Sequence, residues 1–460
     1  MKARQIECET MNKGIPIVLE ADQQGWDYCE EVGANENKAA ALRWHSTVPG
    51  SAAVEHCIIA AIQDTENMGY DVSEAEKYIQ EGMDAYEKGD SATMCRLNSK
   101  ISHLLNVAPK IPSHPYWSYT QYESFEQYRA EVKLPVFKFT GSKEELRRLN
   151  RIGWEAQICA GALGTALEGY TTENLEKVFG NITGYVRTPN TYNDDITYEL
   201  AFLHALRLTG KEITSAHIAE QWVALVPSGW SAEEIALQNL RLGVYPPESG
   251  RLNNPYREWI GAQMRGDVCG MVAPGNTYEA ARFAYMDGQV SHHNNGILGE
   301  VFNAVMTSLA YVKTDVVEIL QLAIDAIPYD SEYYSVVRCA WDCCIESSCW
   351  KEAAAKCLSR YGKYNWIHAY PNACGEVIAL YFGAGDFDKT MNIIAMYGWD
   401  VDCNAAQIAT IVAIANKKAV DEKWSKPIGD LLYTYMRELK QITITELAEI
   451  TTELSVVEVV

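Results

Sequence analysis

The sequence predicts an all-α fold, on three observations. From about Ser142 the chain is a nearly unbroken series of helix-patterned segments. Its Gly, Pro and Asn residues collect in short stretches between those segments, at 227–229, 245–250, 273–275, 294–296 and 383–385, where they interrupt helices and supply turn conformations. Strand signals are sparse, and the best of them is the short run 134–140, which carries Pro135.

Taken in order, residues 1 to about 105 are acidic and helical in pattern. Within 74–88, Ala75, Tyr78, Ile79, Met83 and Tyr86 fall near one face. Pro109, Pro112 and Pro115 follow within 108–117. Proline at that density fixes φ and removes amide donors, so the stretch reads as a linker or an extended strap over a surface. The helical series then runs to the tail, 443–460, which reads as a short helix or strand ending at the surface. The expected organisation is an acidic helical extension with its strap over 1–140 and a larger helical domain over 141–460; a chain of 460 residues has room for one large core plus an appendage. The extension holds carboxylates and the histidines His45, His56 and His103, but no cluster at ligand spacing, so no catalytic group is expected there.

The balance of 39 basic against 61 acidic residues leaves a net charge of −22. A field of that sign repels a phosphate backbone and no basic patch offsets it, so direct nucleic-acid binding is not expected. No apolar run is long enough to span a membrane. The thirteen cysteines are scattered, and Cys339, Cys343, Cys344 and Cys349 lack the paired spacing of a zinc site. With no secretory signal at the start, reduced structural cysteines in a cytoplasmic protein are the expectation.

The chemistry concentrates in two acidic clusters about two hundred residues apart. Asn193-Asp194-Asp195 and Asp400-Val401-Asp402-Cys403-Asn404 each run into an apolar stretch that reads as a buried helix, 198–206 after the first and 408–415 after the second. Alone, an Asn-Asp-Asp before a helix is a cap favoured by the helix dipole. The second cluster changes that weighting, because the helix behind it is too apolar to be solvated and its carboxylates then point into the protein or into a deep cleft. Burying unpaired carboxylates costs on the order of several kcal/mol each, which calls for a compensating cation. Hard oxygen ligands suit Mg²⁺, Mn²⁺ or Ca²⁺, and four negative charges balance two divalent ions. In a third segment, Ala160, Gly161, Gly164 and Thr165 let a helix pack closely on a neighbour, and Glu168 follows just past its end. Glu168 is either one solvated carboxylate among many or a general acid or base delivered beside the metals.

These motifs, in this order, resemble the ADP-ribosylglycohydrolases over about residues 148–450. Residues 161–168 are similar to the family's opening helix and its Glu, and 193–197 to its Thr-Asp-Asp-Thr metal motif. Residues 260–265, followed by 273–275, resemble the Gly-Ala-x-Met-Arg … Pro-x-Gly segment that lies along the diphosphate. Ser291-His292, before Asn295-Gly296, is similar to the segment near the ribose, and 398–404 to the closing Gly-Gly-Asp-Thr-Asp-Thr in its Asp-x-Asp-Cys-Asn form. Three positions depart from the pattern. Thr165 stands where the opening motif has Asp; Asn193 replaces a Thr hydroxyl with an amide oxygen; Cys403 replaces a Thr or Ser with a thiol, a poor partner for Mg²⁺ whose place Asn404 would take.

The resemblance implies an orthogonally packed helical domain with metals at helix termini in a central cleft. It implies two Mg²⁺ ions, with Mn²⁺ as the alternative, held by Asn193, Asp194, Asp195, Asp400, Asp402 and the Cys403 position. Glu168 and Asp195 would be catalytic, the amides of Gly261, Ala262 and Gln263 would hold the diphosphate, and His292 would lie by the ribose. The implied activity is hydrolysis at C1″ of ADP-ribose on a modified protein or small molecule. Two other readings stand beside it. One is a member that binds ADP-ribose without turnover, suggested by Asn193 and Cys403. The other is a Mg²⁺-dependent diphosphate enzyme of the isoprenoid-synthase type, weakened because Ile196, Thr197 and Tyr198 follow Asp194-Asp195 without the third Asp. His368 reads as packing and a turn.

Overall fold

The computed structural model describes residues 2–25 and 27–457 and is almost wholly helical. Helix α1 (Asp27–Trp44) leads into a small antiparallel hairpin, β1 (Ser46–Thr47) and β2 (Val54–Glu55), with Ser46 opposite Glu55. Helices α2 (Cys57–Asn67), α3 (Ile79–Lys88) and α4 (Ser91–Asn106) then close a core around Trp44, Ile58, Leu97 and Ile101. The stripe expected over 74–88 is broken. The chain leaves the helix at Lys77–Tyr78, Gly82 and Ala85 face inward, and Met83 and Tyr86 stay exposed. The Trp44 indole is the reason: a Cβ on Gly82 would lie 1.8 Å from its ring.

This small core is shared with the larger one. Ala232, Tyr256 and Trp259 belong to it, the Tyr256 hydroxyl donates to the Cys57 carbonyl at 2.8 Å, and the Gln63 amide donates to the Lys363 carbonyl at 2.8 Å. The proline-rich stretch is a strap on the same surface, tied by Tyr116 to Glu258 (2.8 Å) and, just beyond it, by Tyr122 to Asp330 (2.6 Å). Residues 134–140 are extended but make a single bridge, Val136 to Asn276, and no strand; Pro135 has no amide to extend the ladder.

The larger core is built on α5 (Lys143–Gly164). Ser142 caps it by accepting the Glu145 amide at 3.2 Å, and Glu144 and Glu145 lie on its positive end. Every residue from Ile152 to Gly164 is buried. A short strand β3 (Tyr170–Thr171) follows, then α6 (Asp194–Thr209), α7 (Ser231–Arg241), α8 (Thr277–Gly288), α9 (Asn295–Ala310), α10 (Ala369–Gly383), strand β4 (Gly398–Trp399), α11 (Val401–Asn416) and α12 (Ile444–Leu454), with further helices between. Helices α5 and α11 make the most extensive helix pair in the chain. The tail forms a short helix, one of the two expected forms, and α12 docks on α5, where Trp154 and Asn150 donate to Thr451 and Thr452, both at 2.9 Å. Residues 458–460 of that expectation lie outside the described residues. No helix among the described residues is long and apolar enough to cross a membrane.

Helix α5 packs tightly on α11 at Gly164, where a Cβ would lie 2.2 Å from the Asp402 backbone. Gly164→Ala is expected to destabilise the fold by about 1–3 kcal/mol, because backbone cannot yield as a flexible side chain does. Gly33→Ala, in α1 with nothing within 4 Å of the new Cβ, is expected to be neutral or stabilising by about 0.5–1 kcal/mol. Chemical denaturation of both variants checks the pair.

Candidate active site

The two acidic clusters sit at helix N-termini that open onto one cavity of about 630 Å³. At α6, the Asn193 side-chain oxygen accepts the Asp195 amide at 2.6 Å, and Asp194 and Asp195 form the first turn. At α11, Asp400 precedes the helix and its amide donates to the Asn372 side-chain oxygen at 3.1 Å, while Asp402 lies in the first turn. Helix N-termini favour carboxylates, which offsets part of the cost of holding them here. Glu168 arrives from the turn after α5. Strands β3 and β4 pair Tyr170 with Trp399, and the Gly169 amide donates to the Trp399 carbonyl at 2.8 Å. Gly398 (φ +82°) and Trp399 (φ +66°) hold the chain in the left-handed region just before Asp400. This two-residue ladder brings the Glu168 carboxyl close enough to feel the charges of Asp402 and Asp400.

The electrostatics are those of crowded like charges. Burial, then the charge of Asp402, pushes Asp194 up to about 6. Burial and neighbouring carboxylates hold Asp195, Asp400 and Glu168 well above the usual carboxylate range. Asp195 Oδ2, Asp400 Oδ1 and Asp402 Oδ1 are buried without a hydrogen-bond partner. Ligand atoms of Asp400, Asp402 and Cys403 lie within 4.8 Å of one another, a group that can hold a metal ion. Along the cavity wall the only cationic side chain among the described residues is Arg187.

Of the residues singled out from sequence, Glu168, Asn193, Asp194, Gly261, Asp400, Asp402 and Cys403 line this cavity. Asp195 is fully buried behind it, accepting a hydrogen bond from the Cys403 thiol at 3.5 Å. Burial and four surrounding aspartates raise that thiol well above its ordinary range, so Cys403 is a neutral donor rather than a thiolate. Asn404 is buried and does not line the cavity; its amide donates to Asn372 at 2.8 Å. Ala262 and Gln263 turn into the core, where the Gln263 side chain meets Glu376 (2.8 Å) and Tyr333 (2.7 Å). His292 is also fully buried, with Nδ1 against the Ser291 hydroxyl at 2.7 Å and Nε2 at 3.9 Å from Glu233, and burial beside Arg265 keeps it neutral. His368 caps α10, accepting the Tyr370 amide at 3.2 Å.

Several wall residues had no motif to mark them: Arg187, Tyr192, Trp230, Glu233 and Trp366. More consequential is the hairpin of the N-terminal extension. Ser46 to Gly50 and Glu55 line the cavity, so the extension, in which no cluster at ligand spacing was expected to carry catalysis, contributes a carboxylate to the wall of the cleft. The signal in the sequence is the Val48-Pro49-Gly50 turn between two short segments that each carry one β-branched residue, Thr47 and Val54, a hairpin mark that carries no chemistry by itself.

Comparison with known proteins places the larger core. No curated protein matches the chain. A solved structure of an ADP-ribosylglycohydrolase-related protein complex is 16% identical to it, covering 68% of this chain and 98% of its own, with a TM-score of 0.47. The ADP-ribosylglycohydrolase family model matches residues 145–455, more than half of the chain and every carboxylate of the two clusters. The chain belongs to the ADP-ribosylglycohydrolase family.

Proposed function

We propose that the protein is a metal-dependent hydrolase of the glycosidic bond at C1″ of ADP-ribose carried by a protein or a small molecule. The observation that supports this most is the meeting of Glu168, Asp194, Asp400 and Asp402 on one cavity wall, with carboxylate oxygens that no protein group satisfies. That donor set fits hard divalent cations, Mg²⁺ first and Mn²⁺ second. Asp194, Asp195, Asp400 and Asp402 would hold two such ions. Asn193 stands beside them but already spends one lone pair as the α6 cap. When bound, the ions supply positive charge that orients and polarises the hydroxyls of the distal ribose.

The remaining work falls to the chain's own residues. Glu168, whose carboxyl burial and the neighbouring aspartates hold well above the usual range, can pass a proton to the departing atom as the C1″ bond breaks and then take one from the incoming water. Gly261 lines the cavity, and the Glu233 carboxyl occupies the space that a side chain at position 261 would take. A second reading, an ADP-ribose binder without turnover, draws on the Cys403 thiol, which lends Asp195 a neutral donor where the family carries a hydroxyl. Hydrolysis of an ADP-ribosylated substrate that EDTA abolishes decides between them.

Three outcomes are expected. Asp400→Asn should abolish metal binding by calorimetry and turnover together while helix content by circular dichroism stays at the wild-type level; retained turnover at low Mg²⁺ would contradict the metal assignment. Glu168→Gln should lower kcat by about 10²–10⁴-fold with metal and ADP-ribose affinities retained, since Gln keeps the shape but exchanges no proton. A fall in metal affinity instead would make Glu168 a ligand. The third concerns pH. Carboxyls raised by burial bind more protons folded than unfolded, so metal-free stability should fall as pH rises through about 6, the Asp194 value. Stabilisation by Mg²⁺ should grow over the same interval, because ion and proton compete for the same oxygens. Thermal melts at about pH 5.5 and about pH 8, with and without Mg²⁺, check both signs.

A further inference from the structure

The hairpin that walls the cleft lies outside the family segment and is fastened to the Glu168 turn. Arg187 donates to the Gly50 carbonyl at 2.6 Å and to the Thr165 hydroxyl at 3.3 Å, and the Tyr170 hydroxyl donates to the Ser51 carbonyl at 2.9 Å. Gly50 rests so closely there that a Cβ would lie 2.1 Å from the Thr165 carbonyl and 3.0 Å from Glu168 Oε1. Thr165, the residue that departs from the family's Asp, is thus the group that receives Arg187.

Register places Glu55 opposite Ser46, on the cavity side. Its Oε2 accepts the Trp230 indole N–H at 2.9 Å and the Ser46 hydroxyl at 3.4 Å, which aims the carboxyl; Oε1 takes no hydrogen bond from the described residues. The cavity carries six carboxylates, Glu55, Glu168, Asp194, Glu233, Asp400 and Asp402, against one guanidinium. Asp194, Asp400 and Asp402 would hold the ions, and Glu168 is the proposed acid and base. Glu233 is paired with the buried Arg265 at 3.5 Å, and Arg187 is occupied by Gly50 and Thr165. Glu55 alone is left without a cationic partner, and burial pushes it up to about 7. A carboxyl so placed is satisfied by a ligand that brings N–H donors, and the aromatic residues Trp230, Tyr192 and Trp366 that line the same cavity suit a planar cation.

We propose that Glu55 is a specificity residue of this cleft, accepting hydrogen bonds from a planar, N–H-bearing group of guanidinium type on the side of the substrate that leaves C1″. This rests on the hydrolase reading above. The test compares the full-length wild type with Glu55→Gln on two substrates, ADP-ribose linked to an arginine guanidine and ADP-ribose linked to a serine hydroxyl. For the guanidine-linked substrate, Glu55→Gln should raise KM about tenfold or more, the worth of one charge-assisted hydrogen bond. Kinetics on the serine-linked substrate and affinity for free ADP-ribose should stay within about twofold of wild type. Trp230→Phe, which removes the indole N–H that aims the carboxyl, should shift KM with the same substrate selectivity. Equal losses on both substrates would mark a structural role and overturn the assignment, as would no change on either. A wild type that turns over neither substrate with Mg²⁺ or Mn²⁺ would overturn the hydrolase reading itself and this inference with it.

Discussion

The Asp402 backbone rests on Gly164, and the site depends on that contact. Only a residue without a side chain lets α11 start against the last turn of α5. The approach fixes where three acidic segments meet, because the turn that follows Gly164 carries Glu168 and the strand that precedes Asp402 pairs with that same turn. The geometry is therefore overdetermined by packing on one side and by a two-residue ladder on the other. Such support is what a cluster of mutually repelling carboxylates requires, since nothing in their own interactions holds them together.

The protein handles buried charge in two ways. Arg265 is fully buried and compensated: Asp287, Glu233 and Glu300 surround it, its guanidinium lies 4.9 Å from the Trp222 ring centre, and it holds the Gly261 carbonyl and the Ser291 hydroxyl. That network is internal and orders the turn at 260–265. The aspartates of α6 and α11 have no such partner, and their proton affinity rises instead.

The N-terminal extension has a physical reason to matter to the cleft. Its small core is completed by Ala232, Tyr256 and Trp259, so it packs against the segments that form the cavity rim, and the hairpin is carried to the rim by that docking. A carboxylate at position 55 then reaches Trp230, 175 residues away. The cleft is a product of two cores, only one of which lies in the family segment.

What the sequence by itself determined is local. Apolar runs after 198 and 408 with acidic residues at their starts specify two buried helices with carboxylate N-termini, and small residues before Glu168 specify a close helix contact, because capping and packing periodicity act within a few residues. The tertiary structure decided which side of each segment meets the cavity. Gly261 faces it while its neighbours Ala262 and Gln263 turn inward, His292 is sealed behind Glu233, and Asn193 uses its oxygen as a cap. It also decided that Glu55 belongs to the site at all. These outcomes depend on hydrogen bonds and steric contacts between residues tens to hundreds of positions apart, and no local spacing encodes them.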